Sequence, residues 1–405
     1  ARKPNGGIQS LKVYGSGPGA VGAAYSFLQS FSFEGPFNAV RFCFANYSST
    51  PYSVLAKTAA LPSVANNGTA LTWSTLTFDN AATAQAGDTW NGAAGSTTAG
   101  TVPALVSGTS NNIVPSMYWS DWIAQDSVAN TDSGNSDLYM TTVRTYSSTA
   151  GGYSIMSANT AGSGDYNTNS RRKAYGLAVS GDHVTTIDGQ ALGASWQWAP
   201  VIVAQAILRK PVYNHGAFGD SITKGQGAVD DSTGGWGWLQ RAVQALTDAG
   251  RGAHSIANFA CPGQGKDATW RTALQVIPQR GLDTATFFPW SPNDGQSNLN
   301  AFRYQTAQFV ALCRRYDVVP ILCTQPPAAG ISSGANDLLR TAINAEIRAM
   351  RGVVVADFDA VLSDGASPAR YLAGMTNTDN IHPSGAGHEA MKVVYMAAIS
   401  VALGV

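Results

Sequence analysis

The chain has 405 residues, beyond the roughly 250–300 at which one hydrophobic core stops growing, so two domains are expected. Hydrophobic residues make up 44%, enough for a normal core, which excludes a chain disordered as a whole. Charged residues are only 12%, and 25 basic residues balance 25 acidic ones; this argues against nucleic-acid binding and polybasic membrane binding, which need a positive field.

Ala1-Arg2-Lys3-Pro4 leads into no apolar stretch, so the sequence reads as a mature form without its leader, or as one that never had it. Residues 1–205 hold nine Lys/Arg and ten Asp/Glu, against 16 and 15 in the rest. This first half is rich in Gly, Ser, Thr and Asn between short apolar runs. Asn38–Phe44, Ala70–Trp73 and Leu138–Arg144 are such runs, and their alternation between turn residues is an all-β signature. A β-sandwich or jelly roll is expected. Ala82–Gly100 and Ala158–Ser170 read as long surface loops. Tyr118-Trp119-Ser120-Asp121-Trp122 reads either as an aromatic platform for a glycan or as core.

From residue 206 onward the pattern changes to alternating strand and helix. Strands are expected at Val212–Phe218, Ser255–Ala260, Thr284–Trp290, Val318–Thr324 and Val353–Phe358. Helices are expected at Trp236–Ala249, Thr269–Gln279, Leu299–Tyr316, Ala335–Met350 and Gly385–Leu403. Five strands alternating with helices imply a doubly wound, flavodoxin-like parallel sheet covered on both faces, with chemistry at the carboxyl ends of the strands. The final helix is too short an apolar run to span a membrane, and no other run comes closer. Four cysteines make no disulfide framework, and Cys313 and Cys323 read as buried small hydrophobes. No CxxC pair or histidine cluster offers a zinc site, and neither metal nor cofactor is expected.

Four short blocks fall at the strand ends. Gly219-Asp220-Ser221 follows the first strand and can expose a serine hydroxyl on a strand-to-helix turn. Asn258 to Gly265 follows the second, with glycines at 263 and 265 whose N–H groups a substrate can approach. Ser291-Pro292-Asn293-Asp294 follows the third, and an Asn amide there can donate to an oxyanion. Asp379-Asn380-Ile381-His382 precedes the last helix, and a carboxylate three residues from a histidine can orient its ring.

Ser, Gly, Asn and Asp-x-x-His in that order resemble the SGNH (GDSL-type) hydrolases, and residues 206–405 resemble their catalytic domain throughout. The resemblance implies Ser221 as nucleophile, His382 as general base and Asp379 as its orienting acid. It implies an oxyanion hole made by the N–H groups of Ser221 and Gly263 and the side-chain amide of Asn293. Gly265 competes with Gly263, and Asp357 and Asp359 compete with Asp379. Asp220 shapes the nucleophile turn. Where the family pattern has Gly before x-Asn-Asp, this chain has Ser291.

Asp220, Trp236, Trp290 and Gln325 are the candidates to line a substrate pocket, since aromatic faces suit sugar rings. The layout resembles carbohydrate esterases in which an SGNH domain carries an accessory β-sandwich. It implies a serine esterase for short-chain acyl groups, acetyl above all, on a small molecule or a polysaccharide. A carboxylesterase or lipase for longer chains and a non-catalytic glycan-binding or virion surface protein are the alternatives. Low charge and small polar residues fit an extracellular, periplasmic or virion-associated setting. Oligomeric state is not legible.

Overall fold

A computed structural model gives the architecture of the chain. It describes residues 8–10, 19–21, 25–33, 35–46, 49–62, 71–78, 99–103, 116–129, 131, 139–147, 151–153, 176–180 and 201–405, the last without 229–236, 261–262, 264, 280, 295–298 and 329–334. The described residues fall into two compact units, divided between Val212 and Tyr213.

The first unit is built from strands β1 (Ile8–Ser10), β2 (Gly19–Val21), β3 (Tyr25–Phe33), β4 (Phe37–Asn46), β5 (Tyr52–Leu61), β6 (Ser74–Thr75), β7 (Ala99–Val102), β8 (Ser116–Trp119), β9 (Ile123–Ala124), β10 (Tyr139–Ser147), β11 (Gly151–Tyr153), β12 (Gly176–Ser180) and β13 (Val201–Leu208). One antiparallel sheet runs β1-β13-β4-β8, with β9 also on β4; a second runs β12-β3-β10-β5-β6, with β7 also on β5. β5 shows why: Tyr52, Val54 and Ala56 are buried and the residues between them only partly, the two-residue period of a strand with one face on a core. Phe31, Phe33, Val54 and Val143 of the second sheet share one apolar core with Phe37, Phe42, Phe44 and Ala204 of the first. Among the described residues the expected all-β architecture is therefore present as these two antiparallel sheets and a two-stranded antiparallel pair, β11-β2. Most of Ala82–Gly100 and all of Ala158–Ser170 lie outside the described residues.

The second face of β4 carries a buried arginine. Arg41 Nε donates to Gln205 Oε1 at 2.6 Å, and its guanidinium lies 4.4 Å from the Trp119 ring centroid and 4.8 Å from that of Trp122. The two tryptophans thus pack on a cation of their own unit.

The second unit contains β14 (Tyr213–Phe218), α1 (Ser221–Lys224), α2 (Trp238–Asp248), β15 (His254–Asn258), α3 (Lys266–Val276), β16 (Thr284–Phe287), α4 (Leu299–Arg315), β17 (Val319–Cys323), α5 (Ala335–Ala349), β18 (Val354–Ala356), α6 (Phe358–Leu362) and α7 (Gly385–Leu403). All five strands pair in parallel, in the order β15-β14-β16-β17-β18. This is the flavodoxin-like order, with its switch point between β14 and β16. Successive residues of β14 serve opposite layers, as a two-residue period requires. Ala217 joins Trp238, Leu246, Met391 and Tyr395 of α2 and α7 in one layer, while Phe218 stacks on Phe259 and meets Phe309 of α4 edge-on. Cys313 and Cys323 are buried free thiols. Among the described residues no helix is long and apolar enough to cross a membrane.

Candidate active site

Ser221 is the first residue of α1, immediately beyond β14 at the switch point. The first residues of a helix have N–H groups without intrahelical partners, so the backbone of Ser221 presents a donor beside its hydroxyl. The turn is held by Asp220, which is 2% exposed and caps the helix: one oxygen accepts from Ile222 N at 2.9 Å and the other from Ser291 Oγ at 2.5 Å. Burial pushes the Asp220 carboxyl above its ordinary range; the Ser291 hydroxyl, the Ile222 N–H and the nearby His382 oppose the rise without cancelling it.

His382 arrives from the loop before α7. Its Nε2 lies 2.8 Å from Ser221 Oγ and its Nδ1 lies 2.6 Å from Asp379 Oδ2. A carboxylate can only accept, so Nδ1 carries the proton and Nε2 faces the serine with its lone pair. Asp379 Oδ1 accepts from the backbone N–H groups of Ile381 at 2.9 Å and His382 at 3.0 Å. Its partial burial would raise the carboxyl, but the bonds from the His382 ring and these two N–H groups outweigh that and hold it below the ordinary range. Asp379 therefore stays ionised beside the ring.

Three tethers fix this loop. Tyr371 Oη donates to Ile381 O at 3.0 Å, and Asn377 N donates to His382 O at 2.9 Å. Asn377 Nδ2 donates to Gly227 O at 3.2 Å, joining the histidine loop to the segment after the nucleophile. That segment approaches so closely that a Cβ on Gly227 would lie 2.3 Å from Pro383 O, at a φ of +102°. Only glycine fits there. His388 is buried in packing: its Nε2 donates to Gln226 O at 3.1 Å and its Nδ1 accepts from Trp238 N at 3.4 Å.

The competing carboxylates are engaged elsewhere. Asp357 accepts from Arg348 and from Thr324 Oγ1, and Asp359 from Arg340 and Arg348. His215 and His254 bond to each other at 2.9 Å in the interior.

Of the expected oxyanion donors, Gly263 sits between β15 and α3 with a φ of +75° and open space where a Cβ would be. Gly265 is the N-cap of α3. Asn293 lies on a single 3₁₀ turn, Pro292–Asp294, after β16, and is exposed. Its Nδ2 and backbone N both lie 3.2 Å from Ser291 Oγ. Asp294 ties this turn to α3: one oxygen accepts from Lys266 N at 2.7 Å, the other from Ser291 N at 2.9 Å, with Lys266 Nζ at 3.6 Å. Burial raises the Asp294 carboxyl, and the Lys266 cation counters it in part. The blocks after β14, β15 and β16 are thus cross-linked by Asp220, Ser291 and Asp294.

The candidate pocket residues behave differently. Trp290 is 1% exposed and Gln325 2%, so neither presents a face on which a substrate could rest. Asp220 lies beneath Ser221, within the turn. Trp236 lies outside the described residues.

The family model for the GDSL-like lipase/acylhydrolase family matches residues 217–390, which contain Ser221, Gly263, Asn293, Asp379 and His382. Residues 217–390 are a GDSL-like lipase/acylhydrolase family domain. Solved structures similar to this chain include a lipase/acylhydrolase from Enterococcus faecalis, 19% identical over 47% of this chain and 97% of that one, with a TM-score of 0.38. An acetyl-xylooligosaccharide esterase mutant from Geobacillus Stearmophilus is 19% identical over 46% and 94%, with a TM-score of 0.37. A GDSL-like lipase from Bacteroides thetaiotaomicron is 17% identical over 47% and 89%, with a TM-score of 0.36. No curated protein sequence matches the chain.

Sequence reasoning overlooked the GDSL domain's Asn377, Gly227 and Lys266, which build the loops around the site. Ser291 stood out as a departure from the family pattern, but nothing in the sequence named Asp220 as its partner.

Proposed function

We propose that the GDSL domain is a serine ester hydrolase that removes short acyl groups, acetyl above all, from a carbohydrate. The observation that carries the hydrolase reading is the unbroken line from Asp379 through His382 to Ser221, at 2.6 and 2.8 Å. Low charge and the Gly/Ser/Thr/Asn-rich first half support a neutral polysaccharide substrate. In this reading residues 1–205 form an accessory domain and 206–405 the catalytic one.

His382 Nε2 takes the proton of Ser221 as its oxygen attacks the ester carbonyl. The carbonyl oxygen gains the charge, and the N–H groups of Ser221 and Gly263 with the Asn293 amide receive it. Collapse expels the alcohol, which takes the proton back from His382. Water then attacks the acyl-serine, again giving its proton to His382, and Ser221 leaves with that proton as the carboxylic acid departs. Asp379 holds the ring in the required tautomer and stabilises the imidazolium.

The test is hydrolysis of p-nitrophenyl esters of increasing chain length by the wild type and Ser221→Ala. Turnover that is confined to acetate and propionate and vanishes in Ser221→Ala is expected. Activity rising toward octanoate would replace the acetyl assignment with a lipase or general carboxylesterase. Turnover retained in a folded Ser221→Ala protein would overturn the serine mechanism. Failure of a serine-directed phosphonate to label Ser221 would favour a binding protein.

A further inference from the structure

Between α6 and the histidine loop the chain is pinned on both sides of Tyr371. Ala369 N donates to Asp337 Oδ2 at 3.1 Å, and Asp337, buried on α5, accepts from Arg340 Nε at 2.9 Å. Leu372 N donates to Leu362 O at 2.8 Å. Tyr371 itself is partly buried and packs on the core layer that contains Phe358 and Leu362. Its hydroxyl donates to Ile381 O at 3.0 Å; a carbonyl can only accept, so the phenolic proton lies in this bond. The peptide unit that carries Ile381 O also carries His382 N, which donates to Asp379 Oδ1 at 3.0 Å, while Asp379 Oδ2 receives the His382 ring at 2.6 Å. One line of bonds thus runs from Tyr371 through a single peptide plane to the acid and on to the base. We propose that Tyr371 is a positioning residue for the Asp379–His382 pair. This proposal rests on the hydrolase reading above.

Two physical effects act along that line. The peptide is planar and resists twisting, so its oxygen and its N–H move together. A plane that turned away from Tyr371 would swing its N–H off Asp379. A donor on the oxygen also polarises the unit and strengthens the bond that its N–H makes. Other bonds hold the neighbouring units: Ile381 N donates to Asp379 Oδ1, and Thr376 Oγ1 and Asn377 N donate to His382 O. Loss of the Tyr371 hydroxyl should therefore loosen the pair without releasing the loop. Burial, with the Asp220 and Asp379 carboxylates, pushes the phenol up from its ordinary value, Arg340 opposing in part, so it keeps the proton that it donates.

Tyr371→Phe keeps the ring and removes the hydroxyl. A net hydrogen bond of this kind corresponds to a loss of roughly 3–10-fold in kcat on p-nitrophenyl acetate, with KM little changed. The rate of Ser221 phosphonylation, which also needs the base, should fall by the same factor. In proton NMR the resonance of the proton between His382 Nδ1 and Asp379 should broaden and exchange faster with water. A role confined to packing would not move it. In the proposal the route from Tyr371 to the reaction passes through His382. Tyr371→Phe should then cost nothing further in a His382→Ala background, assayed at high enzyme concentration. All comparisons are made below the melting transition of each variant, read by circular dichroism.

Wild-type kcat and an unchanged resonance in Tyr371→Phe, while turnover still depends on Ser221, would overturn the proposal alone. A loss that appears in KM instead of kcat, or that persists in the His382→Ala background, would overturn it as well. If turnover or labelling proves independent of Ser221, the hydrolase reading itself fails, and this proposal with it.

Discussion

Both units bury charged side chains, but they spend them differently. In the antiparallel unit Arg41 lies between Trp119 and Trp122 and bonds to Gln205, while Arg144 lies 5.5 Å from the Trp73 ring centroid. Burial pulls the Arg41 guanidinium down to about 10, the neighbouring Cys43 opposing slightly, so it stays charged at neutral pH. These cations lie against aromatic faces of their own unit. In the parallel unit the buried carboxylates Asp220 and Asp294 stand where three strands end, and each ties together backbone that carries a candidate catalytic group. A buried charge in the first unit is a packing element. In the second it fixes the backbone around the candidate site.

That contrast makes separable predictions. The largest concerns His382→Ala, which removes the proposed base while leaving Asp379 at a partly exposed position. Ester turnover should fall about 10⁴–10⁶-fold, with thermal unfolding almost unmoved. A folded His382→Ala protein within tenfold of wild-type kcat would break the comparison at its functional end. Next is Gly227→Ala. Its Cβ would meet Pro383 O at 2.3 Å, Asn377 Nδ2 at 2.7 Å and His382 Cβ at 3.1 Å. The histidine loop must shift, and a displacement of about 1 Å can cost roughly 10²-fold in rate. Comparing kcat/KM with circular dichroism at the same temperature would separate displacement from unfolding; unchanged kcat/KM would mean that the two loops need not touch.

Arg41→Ala sharpens the other side. It strips the Gln205 partner, vacates the space between the two tryptophans, and should destabilise its unit by about 2–4 kcal/mol. Below the unfolding transition, kcat on a small p-nitrophenyl ester should stay at the wild-type value. Calorimetry should show a lowered transition for that unit. A large fall in kcat without unfolding would show that the buried arginine serves catalysis after all.

The same division governs what could be read from the sequence. The parallel unit is written locally. The expected bounds of the last helix are the observed ones, because Ser384 caps its start and Gly404, at positive φ, ends it. α3 starts three residues earlier than expected, at Lys266, because its N-cap is Gly265, which makes no side-chain bond and leaves no signature. The pairing of Asp379 with His382 was legible because the two share one loop. The Ser291–Asp220 bond joins residues 71 apart in sequence, so only the departure from Gly could be seen, not its partner. Trp290 looked like a face for a ligand, but the strand end turns it into the interior. In the antiparallel unit the strand-forming runs were legible and their partners were not. β4 pairs with β13, and Arg41 meets Gln205 across a separation of 164 residues. No local pattern encodes such pairing.

The smallest effect is the most discriminating, because it follows one buried charge of the parallel unit through stability instead of rate. Burial raises the native-state pKa of Asp220 above the unfolded value of about 4, so the folded chain holds that proton more tightly than the unfolded one. A group of this kind contributes most to stability at acid pH, and its contribution is lost as pH rises through the native pKa. Asparagine cannot ionise. The melting temperature of Asp220→Asn should therefore gain on the wild type as pH climbs from about 4 to about 8, while its kcat stays depressed. Differential scanning calorimetry across that range, paired with kcat at each pH, would check it. A gap that stays flat or shrinks would mean that the hydrogen bonds from Ile222 and Ser291 stabilise the ionised carboxylate fully, and that this site carries no stability penalty for its geometry. A widening gap would mark Asp220 as a residue kept at a cost in stability, whereas Arg41→Ala should show its full cost in stability and none in rate.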